Sequence, residues 1–273
     1  MKVLRILWKS LADFFRDDGL TLAGSMSYFT MMAFVPFCML LITLFGHLLG
    51  RYPEFYRFFL GRLSSLFPEA AGGMTQEVMK LISYNAIGKT GLLLYGFLSY
   101  QVLASMENAL NAVFKTAKKR HILISLLISI VVVTFIIAIV IVSFATSTVI
   151  PLLSEVREYL PNIRIGRFTG FVIRYVLPFL MILGTVTMTY KLLPVAKVKA
   201  AYAFRGALFT TVMIEVAKFL FSWYVVAVAQ FGKIYGSLTA VVVFLLWIFY
   251  SWSIFLIGAE IVHNLDRPAK NAR

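Results

Sequence analysis

The sequence has one cysteine, Cys38, in 273 residues. No intrachain disulfide can form and no cysteine-based zinc site can be built, so the redox compartment is not legible here. Histidine is almost as scarce. His47, His121 and His263 stand far apart, at the ends of apolar runs, and neither HExxH nor any metal-spaced His/Asp cluster is present. A phosphate-binding GxxxxGK[ST] loop is missing, which excludes an ATP-driven pump within this chain. A GxSxG nucleophile elbow is missing too. So is an aromatic–basic module of the kind that reads RNA. A nuclease needs its metal-binding or acid–base groups gathered together, and the chain shows no such gathering. The expectation is therefore no catalytic residue, no cofactor and no metal.

Charge is also sparse. Asp, Glu, Lys and Arg make up 14% of the chain, where a soluble domain has about 25%. Hydrophobic residues reach 60% and the mean hydropathy is +0.87. Such a chain is expected to be an integral membrane protein. A spanning helix needs about 20 apolar residues. Six runs qualify, at about 20–49, 90–112, 121–150, 168–192, 203–229 and 234–262. The expected fold is all-α and polytopic, a single six-helix membrane domain over 1–273 with amphipathic interfacial helices. The first run stays uncharged from Gly19 through Gly50, which is too long for a signal-peptide core and reads as a retained span.

The 12 acids are outnumbered by 26 bases, for a net charge of +14. In a soluble protein this balance suggests nucleic acid. Here the bases follow topology instead. Fifteen fall in the N-terminal segment, the loop at 115–120, the region around 191–205 and the C-terminus; nine fall in the alternate connections. Cytoplasmic loops collect Lys and Arg, so both termini are expected in the cytoplasm. Most of the excess charge is then explained without nucleic acid.

Two flanking segments are amphipathic. Within 1–18, Leu4, Leu7, Trp8, Leu11, Phe14 and Phe15 share a face opposite the bases, as in a helix lying on the anionic inner leaflet. The external connection at 51–89 reads either as two interfacial helices or as a small cap. Asp17 and Asp18, just before the first run, suit an N-cap with a favourable helix-dipole contact.

Charges inside apolar runs are the sharpest signal. Glu215 and Lys218 lie in the middle of the fifth run, where a lone charge costs about 2.5–3.5 kcal/mol. At i, i+3 they can meet on one helix face. They are expected to face the bundle interior or a wet cavity, either as a structural ion pair or as the polar midpoint of a translocation path. Glu107, in the second run, and Glu260, at the cytoplasmic end of the sixth beside Gly258, either are solvated and paired with loop bases or turn inward as an acidic vestibule. Pro36 and Pro178 interrupt the first and fourth runs, the first spans of two three-helix halves. They mark either ordinary kinks or the broken helices of a transport site. Gly24, Ser25, Ser27, Tyr28 and Thr30 give the first run a small, polar half, suited to tight packing with hydroxyls bonded to i−4 carbonyls, or to a hydrophilic groove. Tyr235 and Gly236 open the sixth run as an aromatic belt anchor and a close contact.

Several short stretches carry a family resemblance. They are AGSMSYFTMMAFVPF at 23–37, YKLLP at 190–194, RGAL at 205–208, Lys218, YGSL at 235–238, LLW at 245–247 and GAE at 258–260. In this order they resemble the YihY/BrkB family of bacterial inner-membrane proteins, formerly labelled the ribonuclease BN family, over about residues 10–265. Ser27, Phe29, Ala33 and Thr239 depart from the pattern, and Lys197 and Lys199 stand near where a Trp-Arg pair is usual. The resemblance implies a six-helix inner-membrane protein whose role is unsettled, with transport of lipids or lipid-linked molecules as one reading. Joined to the basic cytoplasmic rim, it leads to the expectation of a translocator of lipid or another anionic amphiphile, with membrane lipids as partners. The residues assigned to the path are Glu215, Lys218, Glu107, Glu260, Tyr28, Pro36, Pro178 and Tyr235. Two alternatives stand beside it, a non-transporting scaffold that holds envelope-assembly partners and a ribonuclease as in the old label. Substrate, direction, energy source and oligomeric state are not legible in the sequence.

Overall fold

The computed structural model describes residues 2–49, 89–116, 124, 127–128, 176–227 and 239–271. Among these residues the protein is all-helical, with six helices and no strand. They are α1 (Lys2–Arg16), α2 (Gly19–Leu49), α3 (Lys89–Val113), α4 (Leu177–Leu192), α5 (Ala200–Ala227) and α6 (Thr239–Asn271). The run at 121–150 and the connection at 51–88 lie outside the described residues, apart from isolated helical positions at 124 and 127–128. Val241–Asp266, with a mean hydropathy of 2.3, is the one described stretch long and apolar enough to cross a membrane.

Local chemistry sets the helix ends. α1 stops at Arg16, and Asp18 takes a left-handed backbone with φ 55° before α2 begins at Gly19. A short polar side chain tolerates that region better than most. Asp18 still accepts the first bond of α2, from the amide of Leu22 at 3.1 Å. At the end of α3, Lys115 takes the left-handed position with φ 52°. The amide of Thr116 donates to the carbonyl of Asn111 and the amide of Lys115 to that of Ala112, the paired bonds that usually close a helix over glycine.

Both prolines lie within described helices. α2 runs through Pro36 without ending. Pro178 lies near the start of the described α4, where the backbone of Val176 before it is already helical.

Packing groups the chain into two compact units. The first comprises Met1–Asp17, Leu110–Ile214 and Phe255–Arg273; the second comprises Asp18–Ala109 and Glu215–Ile254. The first thus holds α1, α4 and parts of α3, α5 and α6. Phe14, Leu110, Val113, Tyr190, Leu193, Leu256 and Val262 fill its core. The second holds α2 and the remaining parts of α3, α5 and α6. There Phe34 packs on Phe244, with centroids 4.6 Å apart, and Phe221 packs on Trp247 at 5.2 Å. Ala23, Met26, Leu103, Met106 and Ala109 are buried in it.

Candidate functional site

In the second unit Glu215 and Lys218 form an ion pair on α5, with Nζ 2.6 Å from Oε1. The i, i+3 spacing brings the two heads together as expected. The pair is not enclosed. The side chains are 41% and 46% exposed for Glu215 and Lys218. Glu215 stands one turn before Phe219, itself 76% exposed, and Leu220 and Trp223 continue the open surface. Of the two settings expected for this pair, an enclosed bundle interior is not what the structure shows; its helical position coincides with the open side of α5.

Other assigned residues of this unit are placed differently. Glu107 is buried on α3, and Tyr28 on α2 is open, with its ring edge-on to Phe29 at 5.5 Å. The hydroxyls of Ser27 and Thr30 donate to the carbonyls of Ala23 and Met26, 2.6 and 2.7 Å away. Thr30 also accepts from the indole of Trp252 at 3.0 Å, joining α2 to α6. Ser25 and Ser105 stand 3.4 Å apart and link α2 to α3. Pro36 is fixed here only as a position in α2, and Tyr235 lies outside the described residues.

The first unit holds a polar cluster that the sequence reading did not assemble. α1 turns Ser10, Asp13 and Phe14 inward and leaves Leu4, Trp8 and Phe15 open. Its docked edge thus joins the polar Ser10 and Asp13 to Phe14, and an apolar stripe is left free, unlike a surface helix on a soluble core. The amide of Asn264 on α6 donates to Ser10 Oγ and to Asp13 Oδ2, each at 3.0 Å. Arg16 pairs with Asp13 at 2.7 Å, and Lys115 reaches Asp17 at 2.8 Å. Asp17 therefore serves as an ion-pair partner for the end of α3 rather than as an N-cap. Asn111 Oδ1 accepts from the amide of Val195 at 2.9 Å, tying α3 to the connection between α4 and α5. The edge-on contact of Phe114 with the His263 ring, at 5.7 Å, seals one side. Burial works against the Asp13 carboxylate. The Asn264 hydrogen bond and the charges of Arg16, Lys9 and Lys115 outweigh it and hold Asp13 below its ordinary range.

Glu260 lies within this unit, fully buried, and neither carboxyl oxygen has a hydrogen-bond partner. Its burial is the inward-turned alternative of the expectation, and among the described residues no loop base pairs with it. The charges whose fields reach it are Asp17, Asp13, Lys115 and Arg16. One turn away, two glycines let helices touch. Gly258 lies against Thr210 and the Tyr190 hydroxyl, and Gly206 against Val262 and the Gly258 carbonyl. Tyr190 shares a 2.8 Å hydrogen bond with Thr210 and donates to the carbonyl of Phe255. The YKLLP, RGAL and GAE stretches thus meet at one crossing of α4, α5 and α6. Hydropathy could not pair them, since each motif sits on a different helix. Ser10 and Asp13 were missed because the apolar period dominates α1; their i, i+3 polar spacing was a signal, but the Asn264 that meets them lies 254 and 251 residues away.

Beside the cluster an apolar groove of about 830 Å³ runs between α1, α5 and α6, lined by Leu4, Arg5, Trp8, Phe209, Met213 and Ile257 among others. A second hollow of about 510 Å³ shares Leu7, Phe209 and Met213 with it and is edged by Arg205. Among the described residues no three His, Cys, Asp or Glu side chains gather to hold a metal ion.

A helical chain with long apolar elements and an outward-facing apolar stripe on α1 belongs among membrane proteins, and comparison with known proteins agrees. Residues 10–273 match the family model described as Virulence factor BrkB, and the chain belongs to that family. Its relatives carry the name UPF0761 membrane protein. The one from Rhodospirillum centenum is 28% identical over 263 residues, 92% of this chain and 55% of that protein. The one from Haemophilus influenzae is 27% identical over 268 residues, 96% and 94% respectively. The one from Azotobacter vinelandii is 29% identical over 265 residues, 95% and 63% respectively. The chain thus spans a little over half of the Rhodospirillum and Azotobacter proteins and nearly all of the Haemophilus one. No solved structure matches the chain. The protein resides in a membrane, and the family name leaves its role open.

Proposed function

We propose that this chain is a multi-pass protein of the bacterial inner membrane that moves an anionic amphiphile, a lipid or lipid-linked molecule, between leaflets. In this reading the six apolar runs all span, both termini are cytoplasmic, and membrane lipids are the partners. No catalytic, cofactor or metal-binding residue is assigned, and no nucleic acid is involved. The path lies along α2, α3, α5 and α6 in the second unit, with Glu215 and Lys218 at its polar midpoint.

The observation that carries the reading is the open ion pair on α5. An intact pair left unburied in the middle of a 28-residue apolar helix is costly against hydrocarbon, so it is better matched to a polar or wet surface. Bases at the proposed cytoplasmic ends would draw anionic headgroups toward that surface. The test is reconstitution into liposomes with labelled anionic phospholipid. Wild type is expected to exchange lipid between leaflets, and Glu215→Gln and Lys218→Met to lose most of that exchange while remaining folded. No exchange above empty liposomes would overturn the reading.

A second reading rests on the same helix. Phe219, Leu220 and Trp223 form an open apolar surface of the sort that docks another membrane protein. A scaffold of this kind, holding envelope-assembly partners, would show no lipid exchange and would tolerate Glu215→Gln in the liposome assay.

A further inference from the structure

We propose that the groove between α1, α5 and α6 in the first unit is a binding site for an anionic membrane lipid, with an acyl chain along Trp8, Phe209, Met213 and Ile257 and the phosphate of the headgroup held by Arg5 and Arg205. It deepens the translocator reading by naming where an amphiphile is taken up. It rests on that reading for its role and not for its existence.

Three observations support the site. First, the lining is apolar over its length, and the two contiguous hollows, about 830 and 510 Å³, are of the size that holds a small-molecule ligand. Second, the polar exceptions are cationic. Arg5 lines the first hollow and Arg205 the second, and among the described residues no acid lines either. Arg205 lies over the ring of Tyr202 at 5.9 Å, and Lys199 lies over the same ring at 5.6 Å, so a second base stands near Arg205. A planar guanidinium matches phosphate oxygens in a two-point contact. Third, α1 is docked by Ser10 and Asp13, which leaves its apolar residues free to form one wall of the groove. An apolar wall with arginine at its margins is complementary to a molecule with a hydrocarbon body and an anionic head. A peptide helix would leave those cations unmatched unless it carried acids, and a neutral lipid would leave them without an anion.

The full-length protein in detergent, offered phosphatidylglycerol and phosphatidylcholine with the same chains and read by native mass spectrometry, tests the site. Phosphatidylglycerol is expected to be retained preferentially. Arg5→Gln and Arg205→Gln should each lower that retention about fivefold, from the attraction that one base near a membrane surface supplies. Met213→Trp, which fills the groove without touching charge, should lower it as well, and Lys197→Gln on the neighbouring connection should not. Size-exclusion profiles and helical circular dichroism identify any variant that fails to fold. Equal retention of the two lipids, equal losses in Lys197→Gln and the arginine variants, or retention unchanged by Met213→Trp would overturn the proposal. Preferential binding without lipid exchange in liposomes would leave the site standing and remove the translocator; exchange without preferential binding would do the opposite.

Discussion

Asp13 shows how a buried charge is kept in place. It is nearly inaccessible, yet Asn264, Arg16, Lys9 and Lys115 favour its ionised form enough to hold it below the ordinary value of 3.8. A carboxylate lowered in the folded state adds stability above the unfolded value and loses it as pH falls through the folded one. Melting temperature should therefore hold between pH 7 and about 5 and drop below about 4, and Asp13→Asn should lose part of that acid-side drop. Thermal melts across pH in detergent check this. Gly258 makes the opposite kind of demand, for space. A methyl there would collide with Thr210 and with the Tyr190 hydroxyl. Gly258→Ala is expected to destabilise by about 1–3 kcal/mol. Gly184→Ala, with nothing within 4 Å, should be neutral or stabilising by up to about 1 kcal/mol, since alanine favours the helix. At this scale the sequence was half legible. The spacing of Glu215 and Lys218 foretold their pairing, but their exposure depends on which side of α5 the other helices cover, and no local pattern encodes that.

Among the elements, α1 was the most readable and also the most misleading. Its amphipathic period announced a helix over about 1–18, and Lys2–Arg16 is helical. The inward edge carries Ser10 and Asp13 beside Phe14, because Asn264 offers hydrogen bonds there, while Leu4, Trp8 and Phe15 stay open. Replacing Asn264 with leucine leaves Ser10 and Asp13 without that donor, a loss of about 1–3 kcal/mol for a buried group. Limited trypsin digestion should then cut at Arg5, Lys9 or Arg16 in Asn264→Leu at protease levels that spare the wild type. Equal resistance would mean that the Phe14 contact alone secures α1. The α3 end was illegible for a different reason. A left-handed Lys115 is not signalled by composition, since glycine is the residue expected there, and its support comes from Asp17 about a hundred positions away.

For the molecule as a whole, composition carried the class. Sparse charge and 60% hydrophobic residues pointed to a membrane, and the ordered short motifs pointed to the BrkB family. Of those motifs, the 23–37 stretch lies on α2, and YKLLP, RGAL, LLW and GAE lie on or at the ends of α4, α5 and α6; YGSL lies outside the described residues. The proposed number of spans comes from the apolar runs and their direction from the loop bases, and both are open to direct measurement. With Cys38 replaced by serine, single cysteines at Thr116 and Ala272 should react with an impermeant thiol reagent only after the inner membrane is opened. A cysteine at Gly72 should react in intact cells with a permeable outer membrane. The reverse pattern would invert the proposed orientation.

The bond between Ser10 and Asn264 joins positions 254 residues apart. A ribosome releases α1 well before α6, so α1 must wait, through the synthesis of the elements between them, before its own seat exists. Docking of α1 therefore waits until α6 has been made. Until that moment its apolar stripe can rest on the bilayer, while Ser10 and Asp13 stay hydrated on the other side.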